Sequence, residues 1–154
     1  MASEIFDNSF TNDIERLNIS EEAEVCVFPA SFAQQRLWFL DQFAPENPFY
    51  NVVTALRLTG FLNLRVLEQT FNEIVQRHET LRTSFAAVSG QPLQIISATF
   101  NTNLKVIELQ DLPPEQRETE ANKLTAAESL RPFNLSTGPL MRVTILRLTE
   151  SEHI

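Results

Sequence analysis

Ser31-Phe32-Ala33-Gln34-Gln35-Arg36-Leu37-Trp38-Phe39-Leu40 follows a short apolar run, and Arg77-His78-Glu79-Thr80-Leu81-Arg82-Thr83-Ser84-Phe85 closes the next long helical pattern. Before the first stretch, Val25-Cys26-Val27-Phe28 is apolar and β-branched, and Pro29, which has no backbone donor, ends the strand. Ser31 followed three residues later by Gln34 is a capping-box signature, so a helix starts there. Phe32, Arg36, Phe39 and Phe43 recur at helical spacing until Pro45 and Pro48 forbid continuation.

Between the two stretches the period changes. From Tyr50 to Thr59 it drops to two, with Tyr50, Val52, Thr54, Leu56 and Leu58 on one face and Val53 and Ala55 on the other, which predicts a strand covered on both sides and ended by Gly60. Asn63 can cap a second helix whose stripe is Leu64, Leu67, Phe71, Ile74, His78 and Leu81, bringing His78 toward the core side. Beyond the second stretch, Thr83 to Val88 and Gln91 to Ile96 flank Ser89-Gly90, a two-residue hairpin signal. Leu104 to Leu109 alternates as a further strand. Pro113-Pro114 then opens a polar, glutamate-rich third helix running to about Leu130, with Pro132 as its stop. Leu140 to Leu148 reads as a strand, Thr149 to Glu152 as a turn, and His153-Ile154 as the first step of a return strand. A chain ending there would expose an unpaired sheet edge, and the expectation is a fragment. Alternating strands and helices with a hairpin predict an α+β (α/β layered) lobe.

Composition narrows the function. The 154 residues are 43% apolar with mean hydropathy near zero, which fits a globular protein with a real core. The net charge of −8 is uneven: Glu4, Asp7, Asp13, Glu15, Glu21, Glu22 and Glu24 against Arg16 put −6 in residues 1–24, leaving −2 for the other 130. This acidic stretch reads as a flexible leader ahead of residues 25–154, since Ile14 to Leu17 is barely one helical turn. Nucleic acid and an anionic membrane surface are poor partners for such a charge. No run is long enough to span a bilayer and the start lacks a signal-peptide pattern, so a cytoplasmic address is expected. The single cysteine, Cys26, reads as a buried small hydrophobe in a reducing compartment.

Reactive equipment is sparse. The two histidines lie far apart and no Cys/His/carboxylate cluster has ligand spacing, so no metal is expected. The three glycines, Gly60, Gly90 and Gly138, form neither a phosphate loop nor a dinucleotide fingerprint, and Gly-x-Ser-x-Gly is missing. His78 reads first as a hydrogen-bonded core residue, and Arg77 and Arg82 as exposed cations near a helix C-terminus. Trp38, Phe32, Leu37, Phe39 and Leu40 read most simply as core, although Phe39 and Phe43, four apart, could instead form an exposed pair.

The two quoted stretches resemble the first two core motifs of the condensation domains of non-ribosomal peptide synthetases, whose fold resembles chloramphenicol acetyltransferase. Gly60-Phe61-Leu62-Asn63 and Phe133-Asn134-Leu135-Ser136-Thr137-Gly138-Pro139-Leu140-Met141-Arg142 also look like family blocks. The resemblance runs from about Val25 to Ile154 and implies most of the N-terminal lobe of such a domain, truncated. The family's catalytic His-His-x-x-x-Asp-Gly motif occurs nowhere in the chain, and Glu152-His153-Ile154 resembles the opening of the strand that precedes it, so no catalytic residue is assigned.

A complete domain of this family joins a donor acyl or peptidyl thioester to an acceptor aminoacyl thioester, both carried on phosphopantetheine arms of carrier proteins, in secondary metabolite biosynthesis. The resemblance implies carrier proteins and the rest of a synthetase as partners, no cofactor bound directly, and no activity for the fragment alone. Arg77, His78 and Arg82 would support the active site, Arg77 ahead of Arg82 as a buried ion-pair donor whose planar fork satisfies several acceptors. Phe39 and Phe43 would lie near the acceptor carrier. The form of the first motif looks more like the subtype joining two L-residues than the cyclisation subtype, with a dual epimerising and condensing subtype open. The alternatives are a non-catalytic carrier-binding or docking module, and part of an acyltransferase using a coenzyme A thioester.

Overall fold

A computed structural model of the chain describes residues 25–99 and 102–154; the leader expected for residues 1–24 lies outside them. The element order is β1 (Val25–Pro29), α1 (Phe32–Phe43), a 3-10 turn (Pro48–Tyr50), β2 (Leu58–Thr59), α2 (Leu64–Arg77), a 3-10 turn (Glu79–Arg82), β3 (Thr83–Val88), β4 (Gln91–Ser97), β5 (Lys105–Glu108), α3 (Pro114–Ser129), β6 (Thr144–Thr149) and β7 (Glu152–His153).

Two sheets organise these elements. The first has the order β1-β4-β3 and the second β2-β7-β6-β5. The first is antiparallel throughout. In the second, β5 and β6 run parallel while β7 is antiparallel to both β2 and β6. The β3–β4 hairpin turns at Ser89 and Gly90, both with positive φ (52° and 80°), the backbone twist a two-residue hairpin requires.

The helices start where the capping chemistry places them. Ser31 Oγ accepts from Gln34 N while Gln34 Oε1 accepts from Ser31 N, satisfying two donors that the first turn of α1 leaves open. Ser31→Ala is therefore expected to cost about 1 kcal/mol, read as a lowered urea midpoint; an unchanged midpoint would remove the cap from the stability of α1. Asn63 Oδ1 accepts from Val66 N at the start of α2.

The best-packed region lies between the second sheet and α3. Leu109, Ala121, Leu146 and Leu148 form a buried cluster with Ile107, Leu112, Leu124 and Ile154 packed around it. Ala121 is fully buried, and its small side chain lets α3 approach the sheet closely. Arg117 holds the turn beneath this core, its guanidinium donating to the carbonyls of Leu112, Leu148 and Gln110. On the other side, α2 secures the chain between the sheets: Asn72 Oδ1 accepts from Thr102 N at 2.6 Å and Glu68 Oε1 from Leu104 N at 3.2 Å.

Four expectations are corrected. Tyr50 to Thr59 does not form a long strand: only Leu58–Thr59 pairs, and Val52, Val53 and Leu56 are exposed, Val52 at 96%. Period-two patterning marks residues suited to a sheet, but a ladder also needs a neighbouring strand, and the described residues offer β2 only two partners. Helix α1 buries none of its residues, so the core reading of Phe32, Leu37 and Phe39 fails; Phe32 is 91% exposed, and Trp38 and Leu40 are half-buried. Cys26 is exposed because β1 is an edge strand. His78 is also exposed: α2 ends at Arg77, and the extended backbone of His78 (φ −114°, ψ 98°) carries its side chain off the helical stripe. Val75, one turn beyond Phe71, is the fully buried residue of α2 instead.

Candidate functional site

The residues expected to support an active site lie at the junction of α2 and β3, in different surroundings. Arg77 is exposed, and its side chain has no hydrogen bond or ion pair among the described residues. The expectation of Arg77 as the buried ion-pair donor is therefore corrected. The cause is helical phase: Arg77 is two positions from buried Val75, about 200° around the helix, and faces away from the core.

Arg82 occupies the protected position. Its side chain is 10% exposed, Nη1 donates to the Ser97 carbonyl at the end of β4, and Nη2 lies 3.5 Å from Glu79 Oε1. Thr83 Oγ1 donates to the Glu79 carbonyl at 2.7 Å. Arg82 and Thr83 thus fasten the 3-10 turn to the first sheet, whereas Arg77 and His78 face solvent. The sequence pattern alone could not choose between two arginines five residues apart without the end point of α2.

Helix α1 presents the aromatic feature of the surface. Phe39 and Phe43 stack with ring centroids 6.5 Å apart and an interplanar angle of 17°, and they are 62% and 80% exposed. The offset of four residues places them on one face of the helix. Phe32 is exposed near the start of the same helix.

Two arginine clamps carry no sequence signal beyond the blocks they sit in. Arg142 donates to Glu128 Oε1 and to the carbonyls of Pro132 and Arg131, and its guanidinium lies 3.7 Å from the Phe133 ring centroid. It folds the segment after α3 back on itself, and the Leu135 carbonyl of that segment accepts from Phe85 N on β3. Arg57 bridges Glu118 of α3 and Glu152 of β7, both at 2.6 Å. These carboxylates, Glu152 foremost, raise the Arg57 pKa above its ordinary value.

Among the described residues no cluster of His, Cys, Asp and Glu could hold a metal ion, and no helix is long and apolar enough to cross a membrane. His153 is 2% exposed and His78 exposed. The chemistry on view is that of contact surfaces and structural clamps.

Residues 26–154 match the family model of the condensation domain. The chain is 44% identical over 140 residues to a component protein of the linear gramicidin synthase of Brevibacillus parabrevis, covering 91% of this chain and 3% of that protein. It is 41% identical over 124 residues to phosphinothricin tripeptide synthetase PhsC of Streptomyces viridochromogenes, covering 80% of this chain and 11% of that one. The chain thus spans a small part of the length of these relatives. Among solved structures, the starter condensation domain of rhizomide synthetase RzmA superposes with a TM-score of 0.74 at 23% identity, over 83% of this chain and 32% of that one. A mutant of it in complex with C8-CoA gives 0.75 at 21%, over 93% and 31%. These likenesses show the α+β, chloramphenicol acetyltransferase-like fold that the sequence leads one to expect.

Proposed function

This chain belongs to the condensation-domain family of non-ribosomal peptide synthetases, and from that membership we propose that it serves amide-bond formation as part of a longer synthetase, and that the 154 residues alone do not turn over substrate. The observation that carries this reading is the family match across residues 26–154. The substrates are a donor acyl or peptidyl thioester and an acceptor aminoacyl thioester, each on a phosphopantetheine arm of a carrier protein in the cytoplasm. Holding two tethered reactants together is chiefly catalysis by proximity, which asks for few reactive side chains. In this reading Arg82 supports the active site by fixing the turn that follows α2, and Arg77 and His78 border it from the solvent side.

The stacked Phe39 and Phe43 are the carrier contact. Aromatic side chains, Phe included, are enriched at protein interfaces relative to the rest of the surface. Phe43→Asp, in a synthetase segment that contains this chain and forms the amide bond, is expected to weaken binding of an aminoacylated carrier about tenfold, or roughly 1.4 kcal/mol, as measured by calorimetric titration. Unchanged carrier affinity would remove α1 from the contact. The parent reading is tested by amide formation from two loaded carriers: turnover by the longer segment and none by the 154 residues supports it, and turnover by the 154 residues alone refutes its second half.

A second reading has a specific motive, the C8-CoA complex of the RzmA mutant: a thioester of coenzyme A could serve as donor in place of a loaded carrier. Turnover with a coenzyme A donor and no donor carrier would favour it. Specific carrier binding by the longer segment without turnover would instead indicate a non-catalytic docking module.

A further inference from the structure

The second sheet ends at β5, whose one partner among the described residues is β6. The N–H groups of Lys105 and Leu109 donate to the carbonyls of Val143 and Arg147, so alternate residues of the strand are turned toward β6. Val106 and Glu108 are turned the other way. Their N–H and C=O groups project from the free edge and have no partner among the described residues. Such a row is a template for a further strand.

Beside this edge, β5 and α3 enclose a groove of about 520 Å³. Its floor is apolar, formed by Ile107, Leu112 and Leu124, which pack on the core cluster from outside. Its walls carry Glu115 and Glu120 of α3. Glu115 is exposed, and its carboxylate has no hydrogen bond or ion pair among the described residues. Glu120 has only the exposed Lys123, at 3.4 Å. Glu108 lines the groove as well, with Arg147 at 2.7 Å, whereas no lysine or arginine does.

We propose that the free edge of β5 and this groove dock an extended, basic segment of a partner protein, which joins the sheet as an antiparallel strand. Val106 and Glu108 supply the backbone pairing, and main-chain bonds of this kind give affinity while alternate side chains give specificity. Every second side chain of the added strand falls on the α3 side. A long basic residue fits there, because its stem can lie on Ile107, Leu112 and Leu124 while its head meets the carboxylates of Glu115 and Glu120. The charge selects this occupant over a second copy of the chain: two copies paired edge to edge about a two-fold axis would set their acidic α3 walls side by side, in a chain of net charge −8. Lys105, at the start of β5, and Lys123 oppose a basic segment and limit its affinity. The site does not depend on the proposed amide chemistry.

The experiment is a titration of the 154-residue chain with acetyl-Arg-Val-Arg-Val-Arg-amide at constant ionic strength, read by the amide shifts of Val106 and Glu108. Saturable shifts at both are expected. In the antiparallel register the valines face Val106 and Glu108 and donate to them, so replacing both valines by proline keeps the charge, removes the donors and should weaken binding about fivefold or more. Glu115→Gln, an exposed change that leaves the core alone, should weaken the original peptide about two- to fivefold. Equal binding of the proline peptide would reduce the effect to charge alone and overturn the site, as would unchanged affinity in Glu115→Gln or saturation without shifts at Val106 and Glu108. Shifts at these two amides that grow with protein concentration and no peptide would make a second copy the occupant and overturn the proposal too.

Discussion

Leu146→Ala is expected to cost about 2–5 kcal/mol of folding free energy. Leu146 is 4% exposed and sits in the cluster shared with Leu109, Ala121 and Leu148. Its strand, β6, is paired on both sides, with β5 and with β7, so the sheet can close around a void only by moving three strands together. Against a typical stability of about 5–15 kcal/mol for a domain, the loss is large enough to see as a shift of the urea midpoint well beyond that of Ser31→Ala. Phe43→Ala is the contrast: a bigger side chain is removed, but from a position 80% exposed, and surface truncations fall within about 0.5 kcal/mol. If Leu146→Ala cost less than Phe43→Ala, the energetic centre of the chain would have to be placed elsewhere.

That contrast separates what the residues could disclose from what they could not. Local signals agree with the structure: the Ser31–Gln34 box starts α1, Asn63 starts α2, Ser89-Gly90 turns the hairpin, and the Pro113-Pro114 pair opens α3. Each depends on backbone donors and acceptors within a few residues, so nothing distant can override it. Patterns of burial fare differently. Phe32, Leu37 and Phe39 on α1, and Val52, Val53 and Leu56 after it, are spaced as if to be covered and are exposed. Periodicity records the environment a side chain is suited to, while burial needs an element to supply that environment, and the two come apart where the described residues bring none. Cys26 illustrates the same point in one residue, since its strand is an edge.

The placement of the two motif arginines is half legible for a related reason. The second motif points to the end of α2, and the two arginines there differ in fate because the helix stops between them. Arg77 is fixed by helical phase on the outer face, whereas Arg82 follows a 3-10 turn that directs it back to β4. A shift of helix end by a single turn would exchange their surroundings, and element boundaries are the least certain part of any reading by pattern. The clamps at Arg57, Arg117 and Arg142 are invisible for another reason: most of their acceptors are backbone carbonyls or carboxylates remote in sequence, such as Glu152 for Arg57 and Leu148 for Arg117, which no short motif encodes.

The arginine pair yields the second large effect. Arg82→Ala is expected to destabilise the chain by about 1.5–3 kcal/mol, the range for a hydrogen bond to a charged group in a protected setting. The bond to the Ser97 carbonyl supplies most of this, because the Glu79 partner is at 3.5 Å and 64% exposed, and exposed ion pairs contribute about 0–1 kcal/mol. Arg77→Ala is expected to stay within about 0.5 kcal/mol, having no polar partner among the described residues to lose. Arg82→Lys should recover only part of the loss, since an ammonium on a flexible stem lacks the planar fork that reaches Ser97 and Glu79 together. Urea midpoints of the three variants check the order, and in an amide-forming segment the rate should fall with Arg82→Ala and hold with Arg77→Ala. A larger loss at Arg77 than at Arg82, in either measurement, would mean that the turn after α2 is fastened by the other arginine and that the support role returns to it.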